Sequence, residues 1–235
     1  MRLEMPIVPV SDETEMLLFV ARPTRLPAPG IILMPEVFGV TAHIRDIATR
    51  LAHDGYTAVV PELFHRTATR GWECRHDDIE EAIPHYQALT DKGLENDLRA
   101  THEWLRKDHS TQSSKIGAVG FSMGGRIAFL ANALLPLKAA VTFYGDKIAP
   151  NLLAMAQAQQ GALLLLWGGK DEHIGQKAPS LIAGSLAKAN KVHTVVEYSD
   201  AGHGFFCDAR DGFHPYAAHQ SWAHMKAFLE CHLKE

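Results

Sequence analysis

Short apolar runs with hardly a polar break alternate along this chain with longer stretches of helical periodicity. That alternation narrows the fold more than any other feature. GIILM at 30–34, YTAVV at 56–60, KIGAV at 115–119, 139–144, ALLLLW at 162–167 and HTVVEY at 193–198 read as strands. Such runs suit strands covered on both faces, as in a mostly parallel sheet. Between them, 41–53, 78–89, 94–106, 123–134, 179–189 and 216–233 carry helical patterns, and 152–159 reads as a short helix. In 41–53 the apolar positions are Ile44, Ile47, Ala48 and Leu51, and Gly55 follows as a stop. MLLFVA at 16–21 reads as an extra antiparallel strand at an edge of the sheet. The pattern predicts an α/β chain whose mostly parallel central sheet has helices on both faces, in one domain spanning 1–235.

Composition closes off other classes. A net charge of -4, from 23 Lys and Arg against 27 Asp and Glu, leaves no basic surplus for a phosphate backbone, so no nucleic-acid partner is expected. No apolar run approaches the roughly 18 residues of a membrane span, so no membrane partner is expected either. The first residues hold Pro6 and several acids where a secretory signal needs an apolar core. Cys74, Cys207 and Cys231 are odd in number and form no C-x-x-C pair. A cytoplasmic protein is the expectation. Histidine is abundant, 14 in 235 residues, yet no H-E-x-x-H occurs, and no metal or other cofactor is expected. Monomer and homodimer both stay open.

In a parallel sheet the chemistry gathers where the strands end. KIGAV is followed by Gly120-Phe121-Ser122-Met123-Gly124-Gly125 and then an apolar helix. This is G-x-S-x-G in its strand–turn–helix setting, which pushes a serine out over the rim. The N–H of Met123, at the positive end of the helix, can donate to an oxyanion. ALLLLW is followed by Gly168-Gly169-Lys170-Asp171, which puts a carboxylate at the same rim; Glu172 and Asp146 are rival carboxylates. HTVVEY is followed by His203 between Gly202 and Gly204, a loop histidine suited to general-base work. Ser122, Asp171 and His203 occur in the serine–acid–histidine order of α/β-hydrolases. After GIILM, the loop Pro35-Glu36-Val37-Phe38-Gly39 is where a second oxyanion donor belongs, the N–H of Val37. Phe38, Tyr144, Trp72 and Phe206 are candidate walls of an acyl pocket.

In order and spacing these pieces resemble the dienelactone hydrolase family of α/β-hydrolases over nearly the whole chain. The resemblance rests on MPEVFG at 34–39, HIRD at 43–46, PELF at 61–64, GFSMGG at 120–125, Tyr144-Gly145, GGKD at 168–171 and AGHGFF at 201–206. It implies the α/β-hydrolase fold and hydrolysis of a small carboxylic ester or lactone through an acyl-enzyme. It maps the nucleophile to Ser122, the acid to Asp171, the base to His203 and the oxyanion hole to Val37 and Met123. It also places Glu36 beside the nucleophile, on the substrate side. Two positions depart from the family pattern. The best-known members carry cysteine where this chain has Ser122, and an arginine four residues after the histidine where this chain has Cys207. Arg66, Arg70, Arg75 and Arg210 are the arginines left to hold a substrate carboxylate. A thioesterase or peptidase on the same triad, and a non-catalytic binding protein keeping the fold, are the competing readings.

Overall fold

In the computed structural model, which describes residues 1–234, the chain divides into two compact units, Met1–Ile116 and the remainder from Gly117 onward. In the first unit lie β1 (Arg2–Glu4), β2 (Ile7–Pro9), β3 (Glu15–Arg22), β4 (Ala28–Met34), α1 (Ala42–His53), β5 (Thr57–Pro61), α2 (Ile79–Gln87) and α3 (Asp91–Lys107). The strand β6 (Thr111–Phe121) starts there and continues into the second unit. The second unit goes on with α4 (Met123–Leu134), β7 (Ala139–Phe143), a 3-10 turn at Leu153–Ala158, β8 (Ala162–Gly168), α5 (Ala178–Lys188), β9 (His193–Tyr198) and α6 (Pro215–Leu233).

In the first unit the strand order is β1–β3–β5–β4, with β2 also on β3. β3 runs antiparallel to β1, β2 and β5, whereas β4 and β5 are parallel, with Ile31 opposite Ala58. In the second unit β6, β7, β8 and β9 follow in order and all pair parallel. Parallel pairing brings the C-terminal ends of β6, β8 and β9 to one rim, so the residues after Phe121, Gly168 and Tyr198 are delivered to the same place.

One expectation needs correction. The run at 16–21 is antiparallel but not at an edge. It lies between β1 and β5, and every residue of β3 after Glu15 is buried. An unbroken apolar run is the mark of a strand covered on both faces, and MLLFVA obeys that rule. The outer strands β1 and β2 are three residues each, partly exposed and separated by Met5 and Pro6, so no two-residue period could announce them. The short helix read at 152–159 is a 3-10 helix over Leu153–Ala158, in which Ala156 is the one buried residue.

Local chemistry explains the rest. Thr41 caps α1 by accepting from the Ile44 N–H at 3.5 Å, and Ile44, Ile47, Ala48, Leu51 and Ala52 form its buried stripe. Thr90 caps α3 by accepting from the Gly93 N–H at 3.0 Å. α1 packs on β3 and β5, and α3 on β2, β4 and β5. In β8 the four leucines 163–166 are at most 2% exposed; each contributes about 1.5–3 kcal/mol by leaving water. Among the described residues no helix is long and apolar enough to cross a membrane.

α3 also carries a pH-sensitive group. Burial holds the His102 imidazole below its ordinary 6.5; Glu103 opposes the shift, and Arg106 and Arg99 add to it. A base whose folded-state affinity for protons is depressed resists protonation in the fold. Its stabilising contribution is therefore present above about pH 6.5 and is lost as pH falls below that value. The thermal midpoint should fall on acidification from about pH 7 to pH 5.5, and His102→Gln should flatten that slope. An unchanged slope in the variant would assign the loss to other groups.

Candidate active site

The turn after β6 is built by close backbone approach. A Cβ on Gly120 would sit 2.0 Å from the Gly124 carbonyl oxygen, and one on Gly125 would sit 2.8 Å from the Phe143 carbonyl oxygen. Only glycine lets α4 start this near the strand it leaves. Between them Ser122 is held at φ 53°, a left-handed conformation costly for a residue with a Cβ. The ladder continues past the strand ends to hold it there. The Ser122 N–H donates to the Phe143 carbonyl at 3.0 Å, and the Asp146 N–H donates to the Ser122 carbonyl at 3.1 Å.

The loops after β8 and β9 are fastened to each other in the same way. Gly169 N–H donates to the Tyr198 carbonyl at 2.8 Å and Lys170 N–H to the Ala201 carbonyl at 2.9 Å. The result is a chain of three side chains. Ser122 Oγ lies 2.9 Å from His203 Nε2, and His203 Nδ1 lies 2.8 Å from Asp171 Oδ2. A carboxylate can only accept, so Nδ1 carries the proton and Nε2 is left to accept from the Ser122 hydroxyl. The other carboxylate oxygen, Asp171 Oδ1, accepts from the N–H groups of His173 at 3.0 Å and Ile174 at 3.1 Å. Asp171 is 7% exposed, shielded enough for its charge to act strongly on the imidazole.

The rival carboxylates go elsewhere. Glu172 is exposed. Asp146 Oδ1 lies 3.5 Å from Nε2 of a different histidine, His173. Asp171 is therefore the carboxylate that the structure brings to His203.

Met123 opens α4, where the first N–H groups have no acceptor within the helix. In the first unit the Val37 loop is held by its own neighbours. The Cys74 N–H donates to the Phe38 carbonyl at 3.1 Å, Gly39 bridges to Glu73, and Arg45 pairs with Glu73 at 2.6 Å. Val37 and Trp72 pack against Phe38, Cys74 and Ala82. Burial pushes the Cys74 thiol up to about 11, so it stays protonated and offers no competing nucleophile.

Several candidate wall residues sit deep. Glu36 and Phe38 are each 1% exposed. The Phe38 ring meets His76 edge-on at 4.8 Å, and Trp72 packs on His85 at 4.7 Å. Tyr144 is fully buried, with its ring edge-on to His203 at 5.1 Å. Phe206 stacks among Phe121, Phe143 and Trp222. The candidate arginines of the first unit already hold carboxylates. Arg66 grips Asp97 with both terminal nitrogens, at 2.9 and 2.7 Å, and reaches Asp12 at 2.8 Å. Arg70 faces Glu15 and Arg75 faces Asp77. In the second unit the Arg210 guanidinium covers Gly204, the residue after His203. His173 was not singled out by the sequence, because nothing in Asp-Glu-His shows which way the ring turns.

Comparison with known proteins gives a consistent result. The family model described as "Dienelactone hydrolase family" matches residues 16–233. A Synechocystis sp. protein named "Putative carboxymethylenebutenolidase" is 31% identical over 215 residues, covering 88% of this chain and 87% of that protein. An Escherichia coli protein of the same name is 34% identical, covering 85% of this chain and 75% of its own length. Among solved structures, one titled "Putative Dienelactone Hydrolase" from Klebsiella pneumoniae superposes with a TM-score of 0.84 at 30% identity, covering 97% of this chain and 99% of that one.

Proposed function

Because this chain belongs to the dienelactone hydrolase family, and is a carboxylic ester or lactone hydrolase by that membership, we propose that it works through a Ser122 acyl-enzyme. The observation that carries the reading is the unbroken Ser122–His203–Asp171 chain, with both contacts under 3 Å. His203 Nε2 takes the Ser122 proton as Oγ attacks the substrate carbonyl. The N–H of Met123, at the start of α4, receives the oxyanion. The tetrahedral intermediate collapses, the bond to the leaving oxygen breaks, and His203 returns its proton to that oxygen. Water, deprotonated by His203, then releases the acid. Asp171 keeps the imidazole in the right tautomer and stabilises its cation. A serine must be deprotonated during attack, whereas a thiol ionises beforehand, so this site depends on His203 at the moment of chemistry.

The substrate class we propose is a small carboxylic ester or lactone whose acyl group carries no carboxylate of its own. The commitment of Arg66, Arg70 and Arg75 to Asp97, Glu15 and Asp77 supports the uncharged acyl group. The three free cysteines fit work in a reducing compartment such as the cytoplasm.

The test is hydrolysis of p-nitrophenyl acetate, p-nitrophenyl butyrate and a carboxylated enol-lactone by the same preparation. The neutral esters should give kcat/KM at least about tenfold above the lactone, the size of one unpaired charged contact. A lactone preferred by that margin would contradict the uncharged-acyl reading and direct attention to Arg210.

A further inference from the structure

We infer that His173 is a positioning residue for the His203 imidazole, an inference that rests on the Ser122–His203–Asp171 reading above. Three contacts converge on it, and a fourth leads on from one of its partners. Its N–H donates to Asp171 Oδ1 at 3.0 Å. Its ring lies 4.8 Å from the His203 ring, tilted by 59°. Its Nε2 lies 3.5 Å from Asp146 Oδ1. The Asp146 N–H, in turn, donates to the Ser122 carbonyl at 3.1 Å. One residue thus touches the acid through its backbone and the base through its ring, and reaches the nucleophile's backbone through Asp146.

The geometry gives this a purpose. His203 stands on a glycine-flanked loop, and its own hydrogen bonds tether only the two ring nitrogens. They fix the direction of the Nδ1–Nε2 axis but restrain tilting about that axis weakly. Contacts from neighbouring rings supply that restraint. Tyr144 meets His203 edge-on at 5.1 Å, and His173 packs against it at 4.8 Å. Tyr144 is fixed by complete burial. His173 has no such support, since its side chain is 58% exposed; Asp146 is what holds it in place. The turn around Asp146 is itself a strained piece of backbone, with Tyr144 at φ 37° and Lys147 at φ 53°. Strain of this kind persists where the surroundings over-determine it, and it gathers at functional sites.

The expected loss follows from the price of misorientation. A displacement of about 1 Å at a reacting group can cost about a hundredfold. Losing one of two ring contacts should cost less than that. His173→Ala should lower kcat about ten- to thirtyfold and leave KM within about twofold, because His173 acts on the base and not on substrate binding. His173→Phe keeps a ring of similar size but loses the nitrogen that meets Asp146, so its kcat should fall with that of Asp146→Ala, about threefold to tenfold below wild type and above that of His173→Ala. Asp146→Ala should lower kcat about threefold to tenfold. The double variant His173→Ala with Asp146→Ala should be no worse than His173→Ala alone, since Asp146 acts through that ring.

The experiment is steady-state kinetics of these four variants on p-nitrophenyl butyrate, with circular dichroism melts as the fold control. A largely exposed side chain gives little ground for a folding defect, and His173→Phe gives a second readout within the same fold. Ser122→Ala is assayed in parallel. If Ser122→Ala stays active, the triad reading fails, whatever His173 does. If Ser122→Ala is inactive, three outcomes overturn the inference: kcat of His173→Ala within twofold of wild type, His173→Phe as damaged as His173→Ala, or losses from His173→Ala and Asp146→Ala that multiply.

Discussion

Replacing Ser122 by alanine should lower kcat on p-nitrophenyl butyrate by at least about a thousandfold while leaving the melting transition in place. The residual rate belongs to whatever oxyanion stabilisation the site keeps without a nucleophile. The fold should survive, because the turn depends on Gly120 and Gly125 and not on the hydroxyl. Removing the side chain deletes one hydrogen bond, to His203, and leaves the backbone bonds to Phe143 and from Asp146 intact. KM should change little, since Oγ contributes to the transition state and hardly to ground-state binding.

The second large effect is expected at Asp171. Asp171→Asn keeps the shape of the side chain and removes its charge. An amide can present its NH₂ to Nδ1, which favours the wrong tautomer and turns the proton toward Ser122. A loss of about 10⁴ in kcat is typical for this change in a serine–histidine–aspartate triad. The same substitution logic at the rivals should give far less. Glu172→Gln alters an exposed side chain and should leave kcat within about twofold. Asp146→Asn should stay within about tenfold, because its partner is His173 and not His203. Kinetics of the three variants side by side checks the assignment. A collapse in Asp146→Asn or Glu172→Gln, with Asp171→Asn active, would make another carboxylate the working acid.

Much of this was legible because the signals are local. A buried strand announces itself as an apolar run, and the residue that matters follows within a few positions. KIGAV led to Ser122, ALLLLW to Asp171 and HTVVEY to His203 without knowledge of strand order. The family resemblance was readable for the same reason, since its motifs lie at those strand ends. What could not be read depends on neighbours far along the chain. Three-residue strands such as β1 and β2 hold too few positions for a period. The polar start of β6, at Thr111–Ser114, has no apolar run to mark it, yet it is strand. That β3 is interior was signalled by its unbroken apolar run, but the sequence contains no separate record of the strands placed outside it.

Side-chain direction was the other illegible quantity. Phe38, Tyr144 and Phe206 were readable as large aromatics near the right loops, but apolar composition does not distinguish the wall of a pocket from the inside of a core. Asp171, Glu172 and Asp146 were equivalent in type and nearly so in position. Only the turn at Asp171, in which Oδ1 accepts two backbone N–H groups and frees Oδ2 for His203, separates them. His173 is the same lesson in reverse: an unremarkable loop residue in sequence, it becomes significant through the ring it lies against.

The most direct test of Ser122 as nucleophile is covalent labelling with a fluorophosphonate, followed by peptide mass mapping and residual activity on the same samples. The phosphonyl group should appear on Ser122, rise in step with the loss of esterase activity, and be absent from the Ser122→Ala variant. Loss of activity with the label on another residue, or full activity with Ser122 modified, would contradict the account.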